Sequence, residues 1–303
     1  MNSTTIDVSP DRKAPPRWRA DLALALVAFV WGSTFVVVKS ALSDISTVYF
    51  LALRFGVASL CMVALFATRF RQAGWRAVAS GLRGGALAGL FLWSGYVLQT
   101  YGLKYTTAGK SGFITGLYVV LVPVLSALIY RRVPQKSELA GIAVASVGLV
   151  LLTLPTLDFR MNVGDLLTIG CAVAFALHLL VLWYYSQREQ FEAVALGQIL
   201  SAALLSALAL WVEPARALWS GSVIFALVLT SVFATALAFA FYTWAQKYTS
   251  ATRTALIFAL EPVFALATAV ILGGESLSAR GLVGAALILG GILVVELKPI
   301  TRS

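Results

Sequence analysis

The sequence predicts an all-α, polytopic membrane protein in which ten transmembrane helices form two inverted five-helix repeats. Three observations lead to this prediction: the composition, ten long apolar segments and a near-constant offset between similar residues. Hydrophobic residues make up 60% of the 303 positions and charged residues only 12%, whereas a soluble chain carries about 25% charged residues. This composition argues against both a disordered chain and a soluble nucleic-acid-binding protein.

A helix that crosses a bilayer needs about 20 mostly apolar residues, and the sequence contains ten segments of roughly that kind. They cover roughly residues 21–40, 47–68, 84–103, 107–130, 138–154, 165–185, 193–212, 222–246, 250–273 and 280–296. The connections are short, so they leave no room for a separate soluble domain. We therefore divide the chain into an N-terminal segment (1–20), a first repeat (21–155), a second repeat (164–297) and a tail (298–303).

Lysine and arginine predict the orientation, because the cytoplasmic loops of membrane proteins are enriched in both. With the N-terminus in the cytoplasm, 16 of the 23 Lys and Arg residues lie on the cytoplasmic side and 5 on the outer side. The other two, Lys39 and Arg54, lie within apolar segments. This asymmetry predicts an even number of crossings with both termini in the cytoplasm. It also accounts for the net charge of +10 without a nucleic-acid partner.

Similar residues recur at an offset of 143 or 144 positions. The recurring residues are Tyr-Thr-Thr-Ala at 105–108 with Tyr-Thr-Ser-Ala at 248–251, Gly141 with Gly284, Gly148 with Gly291, and Asp21 with Asp165. With five crossings in each repeat, the second repeat enters the membrane from the opposite side, so the repeats are inverted. Inverted repeats are typical of secondary transporters, whose substrate site lies near the midplane between the repeats. A gene duplication without a transport role is the alternative.

Several motifs together resemble the EamA-type transporters of the drug/metabolite transporter superfamily. In chain order they are Trp31-Gly32-Ser33-Thr34-Phe35, Leu53-Arg54-Phe55, the two Tyr-Thr-x-Ala motifs, Glu261-Pro262, and Glu275 followed by Gly284 and Gly291. The resemblance implies ten helices in two inverted repeats and the export of small metabolites across the bacterial inner membrane. Within the family the chain is similar to exporters of amino acids, aromatic ones included. The repeats differ where the second has Phe-Ala-Leu-His-Leu at 175–179, and where Arg132 corresponds to Glu275.

Polar and aromatic side chains inside the apolar segments are the candidate substrate-binding residues. In hydrocarbon a polar side chain is costly unless it faces protein or a water-filled cavity. The expected substrate-binding residues are Trp31, Phe35, Tyr96, Gln99, Tyr118, His178, Tyr242 and Glu261. A pocket of rings with a few polar groups suits an amphipathic or aromatic amino acid; ordinary aromatic packing is the alternative.

Two of these residues are ionisable. Glu261 lies in the middle of the ninth segment, and Pro262 after it removes a backbone donor and loosens the preceding turn. Its carboxyl is expected to carry a proton or to receive a substrate ammonium group; the alternative is a buried, protonated Glu that satisfies the broken turn. His178 is expected to hydrogen-bond substrate or to titrate near neutral pH; the alternative is a histidine that donates to a neighbouring helix.

Two further cations lie within the segments. Arg54 lies about 10 Å deep in the second segment, where it could bind a substrate carboxylate bidentately. We favour a structural role, in which it pairs with a carbonyl group or reaches outward to Asp44. Lys39 is interpreted as an interfacial residue.

Glycines at four-residue spacing predict helix contacts. Gly81, Gly85 and Gly89 have this spacing in the third segment, and Gly112 and Gly116 have it in the fourth. Small residues at this spacing let helix backbones approach closely, so we expect close packing at these positions.

The function that follows from the sequence is alternating-access export of amino acids, with an uncoupled facilitator or channel as the alternative. An intramembrane enzyme is disfavoured, because the chain has a single histidine and no Gly-x-Ser-x-Gly motif. We predict no catalytic residue, no metal site and no cofactor. Gly109-Lys110-Ser111 lacks the first glycine of a P-loop, since Lys104 occupies that position. The expected partners are the small-molecule substrate, the lipid bilayer and protons.

Overall fold

The computed structural model describes residues 16–296 apart from 103, 107, 132–133, 155–160 and 274–277. Most of the N-terminal segment, the tail at 298–303, Arg132 and Glu275 therefore lie outside the described residues. The side chains of Phe35 and Lys39 also lie outside the description.

The described residues form thirteen α-helices and one π-helical segment, and none of them belongs to a β-strand. The helices are α1 (Arg17–Ala41), α2 (Thr47–Ala73), α3 (Trp75–Gly102), α4 (Ala108–Gly116), α5 (Tyr118–Tyr130), α6 (Lys136–Thr153), α7 (Val163–Ser186), α8 (Phe191–Ala209), α9 (Gly221–Ser231), α10 (Ala238–Gln246), α11 (Ala251–Phe258), α12 (Glu261–Gly273) and α13 (Ala279–Glu296). The π-helical segment Val232–Leu237 joins α9 to α10. The predicted all-helical fold is confirmed.

Within the described part of the chain, seven helical segments are long and apolar enough to cross a membrane. They are Thr47–Ala73, Lys110–Tyr130, Lys136–Thr153, Val163–Ser186, Phe191–Ala209, Gly221–Gln246 and Ala251–Thr268. The other three predicted crossings coincide with α1, α3 and α13. That these three also cross, which would give ten spans, stays a prediction.

The outer surface of the helices is apolar. Large side chains such as Leu60, Leu128 and Ile271 are exposed on α2, α5 and α12. Contiguous exposed apolar surface of this kind is unusual for a soluble monomer and is expected for helices surrounded by lipid.

Three of the crossing segments are interrupted near their middle. Leu117 separates α4 from α5, and Ala259 and Leu260 separate α11 from α12. The π-helical segment is the third interruption. Pro262 lies in the first turn of α12, where its missing N–H leaves no hydrogen bond unmade. The loosened turn expected before this proline corresponds to the break at Ala259 and Leu260.

Two glycine pairs bring α6 and α13 into backbone contact. A Cβ atom on Gly141 would lie 2.5 Å from the carbonyl oxygen of Gly291, and one on Gly148 would lie 2.6 Å from that of Gly284. Any side chain at these positions would push the helices apart. The same four glycines recur at an offset of 143, and each contacts the counterpart of the other glycine in its own helix.

The glycines of α3 pack in the same way against α8. A Cβ atom on Gly85 would lie 2.9 Å from the Cα atom of Gly197, and one on Gly89 would lie 2.7 Å from the Cβ atom of Ser201. The prediction of close packing for α3 is confirmed. It is wrong for Gly112, where no described atom lies within 4 Å of an added Cβ.

Candidate functional site

A cavity extends from the middle of the helices to the end of the bundle at which α1 meets α2. Its empty space, including the part that opens to the exterior, is about 1160 Å³. Leu42 and Thr47, on either side of the α1–α2 turn, line its outer part, and Glu261 and Phe258 line its inner part. The described lining residues therefore run from the middle of the helices to the end of the bundle that holds the α1–α2 turn.

Seven of the eight predicted substrate-binding residues line this cavity. They are Trp31, Tyr96, Gln99, Tyr118, His178, Tyr242 and Glu261. The side chain of the eighth, Phe35, lies outside the described residues. The structure thus brings together residues from both predicted repeats.

Trp31 is at the centre of one group of rings. Its ring centroid lies 5.1 Å from that of Phe258, 5.3 Å from that of Phe239 and 6.0 Å from that of Tyr242. The indole Nε1 donates a hydrogen bond of 2.8 Å to the carbonyl oxygen of Ala234 in the π-helical segment. This bond fixes the indole while the remaining ring surface lines the cavity.

A second group of rings surrounds Tyr96 on α3. Its ring lies edge-on to Phe55, at 5.5 Å between centroids, and to Phe175, at 5.7 Å. Edge-to-face pairs at these distances are favourable. The two groups give the cavity aromatic surface, to which α1, α3, α7, α10 and α11 contribute.

His178 takes part in a buried hydrogen-bond chain with Gln198 and Thr243. Its Nε2 lies 2.8 Å from Gln198 Oε1, and Gln198 Nε2 donates to Thr243 Oγ1 at 2.9 Å. Thr243 uses its own proton to donate to the carbonyl oxygen of Phe239 at 2.6 Å, so its oxygen accepts from Gln198. In this arrangement His178 Nε2 carries the proton and Nδ1 remains an acceptor. The contact with a neighbouring helix, weighed as the structural alternative, is present on the cavity wall.

Arg54 also lines the cavity, although a structural role was favoured for it. It is only 5% exposed, and its Nε donates to Thr235 Oγ1 at 2.7 Å. The pairing with a carbonyl group is present as a long contact of 3.5 Å from Nη2 to Ala234. The pairing with Asp44 is wrong, because Asp44 accepts instead from Ser43 and Ser220. The sequence gives no local signal for Thr235, which is 181 residues from Arg54.

Glu261 and Tyr118 begin the helices that follow the two mid-segment breaks. Glu261 is the first residue of α12, where the N-terminal end of the helix dipole favours a negative charge. The structure gives the carboxylate of Glu261 no hydrogen bond or ion pair to the described residues. Gln99 Nε2 donates to Thr115 Oγ1 at 3.3 Å on the same wall.

The 143–144 offset relates predicted lining residues to one another and to two further ones, Phe175 and Phe239. Phe175 lies 144 positions after Trp31, and Phe239 lies 143 positions after Tyr96. Glu261 lies 143 positions after Tyr118. All six line the cavity. Thr34, which lies 144 positions before the predicted His178, lines the cavity as well. Thr115 and Phe258 also line it and lie 143 positions apart, but neither is the counterpart of a predicted residue.

Two of the ion pairs that join the halves of the chain correspond to each other by the same offset, since Asp165 lies 144 positions after Asp21 and Arg253 lies 143 positions after Lys110. Arg253 binds Asp21 with two hydrogen bonds of 3.0 and 2.8 Å. Lys110 Nζ lies 2.6 Å from Asp165 Oδ2, and Thr106 also donates to this carboxylate at 2.6 Å. Asp21 lies near the start of α1, at the opposite end of this helix from the cavity-lining Leu42.

Comparison with known proteins agrees with these features. The model of the EamA-like transporter family matches the chain twice, over residues 18–154 and 162–297. The two matches begin 144 positions apart and end 143 positions apart, which are the offsets seen between the recurring residues. A solved crystal structure with 23% sequence identity superposes with a TM-score of 0.76 and covers 93% of this chain and 98% of its own. It supports the fold.

The similar curated proteins are named as transporters for the most part. An uncharacterized transporter of Archaeoglobus fulgidus is 36% identical over 282 residues, which cover 93% of this chain and 87% of the relative. The uncharacterized transporter YvbV of Bacillus subtilis is 26% identical and covers 94% of each chain. A WAT1-related chloroplast protein of Arabidopsis thaliana is 24% identical, over 88% of this chain and 67% of its own. With its two family matches and its apolar helices, the chain is an integral membrane protein that belongs to the EamA-like transporter family.

Proposed function

We propose that the protein is a secondary transporter that exports amino acids, mainly those with aromatic or hydrophobic side chains, across the bacterial inner membrane. The observation that carries the proposal is the cavity within the helices, which is lined by rings and a few polar side chains. Sites for small ligands are mostly apolar and contain a few placed polar groups that fix the orientation of the ligand. An amino acid with an apolar side chain matches such a site, because its side chain suits the rings and its charged groups suit the few polar side chains. The direction of transport rests on the resemblance to exporters.

The proposed architecture has ten spans in two inverted repeats, with both termini in the cytoplasm. The two family matches support the repeat, and so do the contacts between recurring glycines in α6 and α13. The excess of Lys and Arg on one side supports the orientation.

We propose that transport proceeds by alternating access. In the proposed orientation the end of the cavity near Leu42 and Thr47 faces outward, and the Asp21–Arg253 ion pair lies at the cytoplasmic end of the helices. The breaks at Leu117 and Leu260 lie 143 positions apart and next to the cavity. Because these breaks divide two helices in equivalent places, each supplies a hinge about which half a helix can move.

Protons are the proposed driving force. Glu261 lines the cavity without a partner among the described residues, so a proton or a substrate ammonium group has access to its carboxylate. Neutral His178 presents Nδ1 as an acceptor. An uncoupled facilitator for the same solutes is the alternative, since it needs no titratable group.

Transport by the purified full-length protein in lipid vesicles tests the proposed function. With an imposed pH gradient, we expect saturable transport of phenylalanine and tryptophan and weaker transport of serine. Transport of every amino acid at the level of protein-free vesicles would refute the proposal.

The same vesicles separate coupled transport from facilitated transport. We expect the wild-type protein to accumulate phenylalanine against its gradient, and Glu261→Gln to equilibrate it without accumulation. If both Glu261→Gln and His178→Ala still accumulate phenylalanine, proton coupling through these residues is wrong. If the wild-type protein only equilibrates it, the protein is a facilitator.

A further inference from the structure

Arg54 is a buried cation whose hydrogen-bonding capacity is incompletely used. A guanidinium group has five N–H donors. Nε is well bound by Thr235 at 2.7 Å, whereas Nη2 has only long contacts, 3.4 Å to the Tyr96 hydroxyl and 3.5 Å to Ala234. Nη1 donates to none of the described residues, and it is not among the fully buried nitrogen atoms that lack a hydrogen-bond partner. Since Arg54 lines the cavity, Nη1 is open to it.

Among the described residues no carboxylate lies within 4.0 Å of the Arg54 guanidinium, and Glu261 on the same cavity wall forms no ion pair with it. The ion pairs within 4.0 Å in the described part of the chain involve other residues. The faces of Tyr96 and Phe55, at 5.3 and 5.9 Å from the guanidinium carbon, supply cation–π contacts. Such contacts contribute about 0.5–2 kcal/mol and leave the unit charge uncompensated. A buried charge without a counterion is costly, and an anionic ligand in the cavity would remove this cost.

Tyr96 supplies a second donor at the same place. Its hydroxyl oxygen accepts from Arg54 Nη2, so its own proton is free to be donated elsewhere. The described residues give this proton no acceptor. Arg54 Nη1 and the Tyr96 hydroxyl are therefore adjacent donors on the wall of one cavity.

We propose that Arg54, with Tyr96, binds the carboxylate of the substrate, and that the protein therefore selects amphipathic carboxylates. Two adjacent donors, one of them charged, suit the two oxygens of a carboxylate. The surrounding rings of Trp31, Phe175 and Phe239 suit an apolar body. This inference rests on the proposed transport function and goes further, since it names the group that is recognised and the residues that recognise it.

The test compares ligands that differ in the carboxylate. Phenylalanine has a carboxylate and an ammonium group, 3-phenylpropionate has only the carboxylate, and 2-phenylethylamine has only the ammonium group. Thermal unfolding of the purified wild-type protein is measured with each. We expect phenylalanine and 3-phenylpropionate to raise the Tm and 2-phenylethylamine to raise it less. No stabilisation by either carboxylate would overturn the assignment.

Variants then locate the effect. For Arg54→Gln we expect the ratio of the apparent affinities for 3-phenylpropionate and 2-phenylethylamine to fall about tenfold or more, because a hydrogen bond to a charged group is lost. Arg54→Lys should restore part of this ratio, and Tyr96→Phe should lower it less. Arg69→Gln is the matched control on the same helix, since Arg69 is 55% exposed and lies outside the cavity, and it should leave the ratio unchanged.

Two results distinguish this inference from the proposed function. If carboxylates stabilise the protein through Arg54 but no amino acid is transported, the proposed function fails and the inference stands. If amino acids are transported and Arg54→Gln changes the affinities for both probes equally, Arg54 is structural and the inference is wrong. If Arg54→Gln does not fold, Tyr96→Phe and the wild-type Tm series decide the outcome.

Discussion

The two halves of the protein place different side chains at equivalent positions beside the cavity. Arg54 in α2 and Gln198 in α8 lie 144 positions apart, and both are almost fully buried, at 5% and 0% exposure. Each hydrogen-bonds a threonine in the same interrupted span, Thr235 for Arg54 and Thr243 for Gln198. The two sites therefore have similar construction and different charge.

The difference lies in how completely each side chain is satisfied. Gln198 accepts from His178 and donates to Thr243, so both ends of its amide are bound within the protein. Arg54 has one short hydrogen bond and terminal nitrogens that remain available. A neutral side chain whose hydrogen bonds are all made within the protein holds the neighbouring helices together. A cation with unused N–H donors can in addition bind a ligand. We infer that Arg54 in the first half binds the substrate, whereas Gln198 in the second half stabilises the packing of the helices.

The two corresponding ion pairs, Lys110–Asp165 and Arg253–Asp21, show the opposite pattern, since both pair a cation with an aspartate and the burial of the aspartates differs. The side chain of Asp165 is fully buried, whereas that of Asp21 is 18% exposed. A lost partner is more costly in a buried pair than in an exposed one.

The largest expected effect comes from breaking the buried pair. Asp165→Asn should lower the free energy of unfolding by about 3–5 kcal/mol, because the buried carboxylate of the Lys110–Asp165 ion pair is removed. Asp21→Asn should lower it by about 1 kcal/mol, because that pair is partly exposed. Unfolding of both variants in the same detergent measures the difference. Equal losses would show that the two pairs are energetically equivalent, contrary to this account.

The next effect compares the two threonines. Thr235→Val should lower the free energy of unfolding by about 2 kcal/mol, because a charged N–H of Arg54 loses its acceptor. Thr243→Val should lower it by about 1 kcal/mol, because the neutral amide of Gln198 loses its acceptor. Chemical denaturation in detergent measures both. Thr235→Ser and Thr243→Ser keep the oxygen and are the controls. A larger loss for Thr243→Val than for Thr235→Val would remove the distinction between the two sites.

Much of this architecture could be predicted from the sequence, because lipid imposes strong rules on composition. Apolar length locates helices, and a polar residue such as Glu261 inside an apolar segment indicates a cavity. The recurring glycines were found by their spacing, and the structure brings them into contact.

What could not be predicted depends on contacts between distant parts of the chain. The π-helical segment contains no proline or glycine that marks it. Its Ala234 carbonyl accepts from Trp31, 203 residues away, and contacts Arg54. The expected pairing of Arg54 with Asp44 is wrong because Thr235, which accepts from Arg54 Nε, lies in the other half of the chain.

The smallest expected effect concerns the ring of Trp31. Trp31→Phe removes the hydrogen bond to Ala234, so it should lower the free energy of unfolding by about 1 kcal/mol. It keeps an aromatic ring, so the preference for transport of phenylalanine over serine should be preserved. Trp31→Ala should reduce that preference, since it removes the ring. Transport rates of the two amino acids in vesicles measure the preference. An equal loss for both amino acids in Trp31→Ala would reduce the role of Trp31 to packing.

The most direct test of the central claim, that the cavity between the halves is the substrate site, is a structure of the protein determined with bound phenylalanine. We expect density for the amino acid among Trp31, Tyr96 and Phe239, with its carboxylate within hydrogen-bonding distance of Arg54 Nη1. Phenylalanine bound elsewhere, with the cavity empty in a preparation that transports it, would contradict the account.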